Sequence, residues 1–191
     1  MLGIGVGWAP QEFDALGVAF AERGRLTDEH LLAIRAAWQD DQDYRSGQIP
    51  IWVGGNSDAA LRRAVRLGDA WHPLRFTPGW LTSAVDRLKT AADDQQRPRP
   101  ALMPRIALQL TASPVTNEDR LAGHGTVGQI TDDLERLRLL GAGIVVLDPF
   151  NGDPRETARP QAAWHALAAV ADRWAQKESH DIDTKRDRDG T

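Results

Sequence analysis

Apolar residues along this chain follow two alternating patterns. Short, nearly continuous apolar runs are separated by longer stretches in which apolar residues recur every third or fourth position. The runs suit strands and the longer stretches suit amphipathic helices. Met1 to Trp8 (MLGIGVGW) predicts a glycine-rich first strand. Thr27 then precedes a helix carrying Leu31, Ile34 and Trp38, with Asp28 and Glu29 suited to its positive N-terminal end, and this helix runs out in the polar stretch Gln39 to Gln48. Ile49-Pro50-Ile51-Trp52-Val53 is apolar on both faces, as in a parallel strand covered by helices, and Gly54-Gly55 closes it. Asn56 or Ser57 caps the next helix, where Leu61, Ala64, Val65 and Gly68 form one stripe and Arg62, Arg63 and Arg66 lie largely outside it.

Ala70 to Pro73 predicts a third strand and Trp80 to Ala92 a helix, followed by a polar, proline-rich connection from Asp93 to Pro100. Arg105 to Thr111 (RIALQLT) predicts a fourth strand. Thr126 and Gln129 have the spacing of a capping box for a helix with Val127, Ile130, Leu134 and Leu137 on its buried face, and Gly141 stops it. Ile144 to Leu147 predicts a fifth strand ending at Asp148-Pro149-Phe150, and Ala163, Leu167, Val170 and Trp174 mark a final helix. Strand and helix thus alternate along the whole chain, which implies a parallel α/β sheet with ligands at the carboxyl ends of its strands. Two architectures fit: an open doubly wound sheet, or a section of a (β/α)8 barrel, which needs eight strands and typically about 250 residues.

Composition narrows this picture. The 191 residues are 41% hydrophobic and 26% charged, enough for one core, so residues 1–176 are expected to form one domain. Residues 177–191 are almost all polar or charged and are expected to be a disordered tail. Twenty-three basic against twenty-seven acidic residues leave a net charge of -4, which supplies no field for nucleic acid or an anionic membrane surface. The absence of cysteine excludes disulfides, thiolate metal sites and cysteine nucleophiles. No run approaches the roughly 20 apolar residues of a membrane span and no signal sequence opens the chain, so a cytoplasmic location is expected. Seven tryptophans stand against one tyrosine and four phenylalanines. Core packing accounts for most of them; a platform for a flat ring is the sharper alternative.

Candidate chemistry concentrates after Val53. In Gly54-Gly55-Asn56-Ser57 the glycines let a backbone approach a ligand closely, and the amides at the following helix start suit a phosphate. A capped tight turn with no ligand has the same local sequence. The run matches neither the GxGxxG dinucleotide pattern nor the P-loop. His72 falls at the carboxyl end of a predicted strand, where barrel active sites lie, although a packed or solvent-facing histidine explains it better. Arg62, Arg63 and Arg66 could assist a phosphate, although a solvated helix face explains them. Asp148 could orient a ligand or simply form an Asp-Pro turn. No histidine pair has metal-ligand spacing, no metal site is expected, and no GxSxG elbow exists.

The stretch IPIWVGGNSDAALRRAVRLGDAWHP from Ile49 to Pro73 resembles the luciferase-like monooxygenase family, above all its coenzyme F420-dependent branch. The likeness extends back over GVGWAPQEFDALGVAFAERGRLTDEHL, from Gly5 to Leu31, and forward over GTVGQITDDLERLRLLGAGIVVLDPF, from Gly125 to Phe150. The segments from about Leu74 to His124 match poorly. The resemblance implies a (β/α)8 TIM-barrel type of fold and hydride transfer, or oxygenation, between coenzyme F420 or FMN and a small organic substrate. It implies that Gly54, Gly55, Asn56 and Ser57 hold the cofactor's phosphate side, and that Gly7, Trp8 and Gln11 lie beside its ring or polyol chain. It also implies that the barrel is incomplete here, with roughly five strand-helix units of the eight that closure requires. The family's usual catalytic histidine has no counterpart, so no catalytic residue is assigned. The alternative is a truncated, catalytically inert fragment that keeps cofactor affinity or has no function. Open sheet edges would then favour self-association or pairing with another strand.

Overall fold

The structure is a computed structural model that describes residues 1–40, 49–150, 157–158 and 160–189. The chain divides into two compact units, Met1–Leu74 with Ser83–Pro104, and Arg75–Thr82 with Arg105–Thr191.

In the first unit four parallel strands pair in the order β1 (Leu2–Ile4), β2 (Ile51–Gly54), β3 (Ala70–His72) and β4 (Ala101–Leu102). Ile4 stands beside Val53 and Val53 beside Trp71. Side chains alternate along a strand, so Ile51, Val53 and Trp71 share one face, where all three are fully buried. The helix α3 (Asp58–Leu67) connects β2 to β3 and buries Leu61, Ala64 and Val65. The expectation that Ile51 to Val53 is covered on both faces holds, since Trp52 on the opposite face is also buried. At the end of α3, a Cβ on Gly68 would lie 2.8 Å from Val53 Cγ2 and 3.0 Å from the Ala64 carbonyl oxygen. The strand and the helix end are therefore packed to contact at that residue.

Two helices precede β2. The short α1 (Pro10–Ala15) leads through a 3-10 turn at Phe20–Glu22 into α2 (Arg23–Asp40). Thr27 does not cap α2, which begins one turn earlier; its hydroxyl instead donates to the Arg23 carbonyl at 2.7 Å inside the helix. Asp28, expected to serve the helix N-terminus, pairs with Arg63 and Arg66 of α3. Most of the polar stretch Gln39 to Gln48 lies outside the described residues. The helix α4 (Pro78–Asp94) starts before Trp80 because the Thr77 hydroxyl accepts the Trp80 N–H at 3.2 Å and Pro78 suits the first turn.

In the second unit the expected strand Arg105 to Thr111 is two strands, β5 (Arg105–Ala107) and β6 (Gln109–Leu110). The division falls at Leu108, where the backbone changes partner. The Leu108 N–H donates to Asp148 O at 2.8 Å, whereas the Gln109 N–H donates to Gly123 O at 2.9 Å. Accordingly β5 pairs with β8 (Val146–Asp148) and β6 with β7 (His124–Gly125), both in parallel. The helix α5 (Val127–Leu139) carries the predicted capping box, with Thr126 and Gln129 bonded reciprocally. Leu108, Ile130, Ala166 and Val170 form the local core, joined by Leu134, Leu147 and Leu167. The last helix, α6 (Pro160–Asp189), is helical in backbone through most of the segment 177–191 in which composition predicts disorder. Among the described residues the strand pairings form three separate sheets, so the fold is α/β with parallel strands and no closed barrel.

Candidate cofactor-phosphate site

The site is built where β2 turns into α3. Gly54 ends the strand beside His72 of β3, and a Cβ on it would stand 3.4 Å from the Ile4 carbonyl oxygen of β1. Gly55 has φ +113, a backbone conformation that side chains oppose, and a Cβ there would meet the Ala60 Cβ at 3.1 Å. Ser57 is the cap of α3: its hydroxyl accepts the Ala60 N–H at 3.2 Å and its carbonyl accepts the Leu61 N–H at 3.0 Å. The preceding first-turn amides, those of Asp58 and Ala59, have no acceptor within the helix by construction. Asp58 puts a carboxylate at this positive end, but Arg87 faces it at 3.3 Å. A glycine turn with free amides at a helix start is a donor set that fits a phosphate ester.

Asn56 has partners of its own. Its Nδ2 donates to Leu74 O at 2.7 Å, and the Leu74 N–H donates to its Oδ1 at 3.1 Å. The Trp71 indole N–H donates to Gly55 O at 2.8 Å. His72 Nδ1 is hydrogen-bonded to the Met103 carbonyl, and its ring lies 5.6 Å from that of Trp52. A carbonyl only accepts, so Nδ1 carries the proton and the neutral ring has its lone pair on Nε2.

The segment following β1 leaves the same end of the sheet as the glycine turn, because β1 and β2 are parallel neighbours. Gly7 has φ +79, and the Phe13 ring stands 2.7 Å from where its Cβ would be. Trp8 is 84% exposed, and Gln11 is exposed on α1. The arginines of α3 divide. Arg63 is 7% exposed and donates to Gly24 O at 3.0 Å as well as to Asp28, so it is a tie between helices and not part of a solvated face. Arg66 also reaches Asp28, and Arg62 is exposed. Asp148 accepts the Phe150 N–H at 3.2 Å and pairs with Arg105, so it forms its own turn.

The second unit holds a charged cluster that the helical pattern did not single out. Asp133 is 4% exposed and accepts two bonds from Arg120, at 2.6 and 2.8 Å, and one from the Gly123 N–H at 2.9 Å. That hydrogen-bonded pairing holds the Arg120 guanidinium above its usual value. Burial, with Arg75 and Arg120 nearby, pushes the His124 imidazole below 6.5, and its Nε2 is buried with no hydrogen-bond partner among the described residues. The overlooked signal was Asp133 itself, a carboxylate inside the apolar stripe Ile130, Leu134 and Leu137. Among the described residues no cluster of three or more His, Asp or Glu could hold a metal ion.

The family model for luciferase-like monooxygenases matches residues 1–122. The chain belongs to the luciferase-like monooxygenase family. Uncharacterized proteins of Mycobacterium bovis and Mycobacterium tuberculosis are 31% identical over 115 residues, a match covering 52% of this chain and 40% of theirs. The match thus spans about 40% of the length of these relatives. Among solved structures, an F420-dependent secondary alcohol dehydrogenase in complex with an F420-acetone adduct superposes with a TM-score of 0.58 at 13% identity, over 76% of this chain and 62% of that one. The coenzyme F420-dependent tetrahydromethanopterin reductase of Methanopyrus kandleri gives 0.56 at 13% identity, covering 82% and 70%. The EDTA monooxygenase of a Chelativorans species gives 0.51 at 13% identity, covering 85% and 64%. These neighbours are luciferase-like TIM-barrel enzymes, and at such identity they establish the fold of this chain. Among the described residues no helix is long and apolar enough to cross a membrane.

Proposed function

We propose that this chain holds the phosphate side of coenzyme F420, or alternatively of FMN, at the turn Gly54 to Ser57, as part of an oxidoreductase or monooxygenase acting on a small organic substrate. The observation that carries this reading is the turn itself, with a φ of +113 at Gly55, a cap at Ser57 and first-turn amides behind it that have no acceptor within the helix. Bound there, such a cofactor supplies hydride-transfer chemistry at its ring. The residues of the chain bind and orient it. Gly54 and Gly55 allow close backbone approach, the α3 amides and dipole favour the phosphate anion, and Gly7, Trp8 and Gln11 stand at the same end of the sheet. A cytoplasmic setting, and association through the open edge of β1, belong to the same reading.

Titration with coenzyme F420 and with FMN, followed by tryptophan fluorescence, tests it. Saturable quenching by one of them is expected, and inorganic phosphate should compete. Absence of quenching by both at high micromolar concentration rules the reading out.

A further inference from the structure

The glycine turn is held from one side by a single short segment. Trp71 bonds Gly55 through its indole N–H, and the Leu74 backbone bonds Asn56 through both its N–H and its carbonyl. Three hydrogen bonds therefore reach two consecutive residues of the turn, while Ser57 caps its own helix start by bonding the Ala60 and Leu61 amides. An amide group that uses both its donor and its acceptor on one backbone residue has its plane fixed. Glycine samples both signs of φ readily, so nothing local selects the observed conformation of Gly55. The bonds to its carbonyl and to the next side chain supply that selection.

We infer that Asn56 and Trp71 are positioning residues, which fix the direction of the turn's amides without touching the ligand and so set the preference for a phosphate-bearing ligand over its phosphate-free form. This rests on the function proposed above and changes the role that the family resemblance gives Asn56. Trp71 has 0% exposure, so it cannot reach a ligand, and its indole bond to Gly55 O joins it to the turn. A preorganised donor set binds more tightly because less ordering remains to be done on binding.

The test compares wild type, Asn56→Ala, Trp71→Phe and the double variant. Each is titrated with FMN and riboflavin, and with coenzyme F420 and its phosphate-free deazaflavin core. Loss of the one hydrogen bond of Trp71, worth about 1 kcal/mol, predicts roughly fivefold weaker binding of the phosphate-bearing ligands in Trp71→Phe, and loss of the two of Asn56 predicts weakening at least as large in Asn56→Ala. The phosphate-free ligands should bind within about twofold of wild type, and the double variant should be less than additive because both residues act on one turn. Weakening in Asn56→Ala with none in Trp71→Phe would mean direct contact and overturn the inference. Equal weakening for both ligand types, or a lower Tm with unchanged affinity, would mean a merely structural role and overturn it as well.

Amide exchange in the ligand-free protein tests the clamp separately. The Leu74 amide should exchange faster in Asn56→Ala, by about the same factor. Unaltered exchange would overturn the clamp even if wild type binds cofactor, whereas faster exchange in a chain that binds none would defeat the proposed function and leave the clamp supported.

Discussion

At Gly55 two separate constraints fall on one residue, a φ of +113 and a neighbouring methyl group at 3.1 Å from any Cβ. Gly55→Ala should therefore lower stability by about 1–3 kcal/mol, measured by urea denaturation. A change below about 0.5 kcal/mol would show that the turn has another conformation open to it. His124 gives a pH-dependent outcome. Its folded-state pKa is lowered from 6.5 by burial and by Arg75 and Arg120, so the unfolded chain takes up the proton first. Stability is then fully present above about pH 6.5 and falls as the pH drops from there toward the folded value. The slope between pH 5 and pH 7 should flatten in His124→Gln; an identical slope would assign the effect to other groups. These residues differ in how openly the sequence announces them. The paired glycines and the Asn-Ser cap are local and could be read directly. The bonds from Asn56 to Leu74 could not, because the partner is backbone eighteen positions on and any residue there supplies the same groups.

Elements were legible where their signals are local. The capping box of α5 was evident because Thr126 and Gln129 supply both halves within one turn, and Thr126→Ala should cost about 1 kcal/mol of stability in thermal or urea unfolding. Thr27 carried a similar signal and was misleading: α2 extends back to Arg23, and a threonine inside a helix can return its hydroxyl to the carbonyl four residues earlier. The division of β5 from β6 at Leu108 was not legible. Ile106, Leu108 and Leu110 recur at every second position through it, and the change of backbone partner, from Asp148 to Gly123, divides the strand. Asp133 ties α5 to the loop before β7 through Arg120 and Gly123. Removing it in Asp133→Ala would leave a largely buried guanidinium unpaired, and a loss of about 3–5 kcal/mol is expected. Retained stability in that variant would mean that Arg120 swings out to solvent.

For the molecule as a whole, the parallel sheet of the first unit leaves β1 with a strand neighbour on one side only among the described residues. No charged residue occurs from Leu2 to Pro10, so this edge lacks the lysines that commonly deter pairing. Sedimentation should therefore show association that grows with concentration. Gly3→Lys should reduce it without lowering Tm, since a Cβ on Gly3 meets nothing within 4 Å. Equal association in the variant would direct attention away from β1. The residue at the end of α3 bears on the history of such a chain. Gly68 has an ordinary φ of -101, so no rule of local conformation requires glycine there. Its side is closed by Val53 and by the backbone at Ala64, one of which cannot be mutated away. Substitution at position 68 is thus conditional on a shift of the entire helix, and drifting lineages should keep this glycine long after the exposed residues around it have changed.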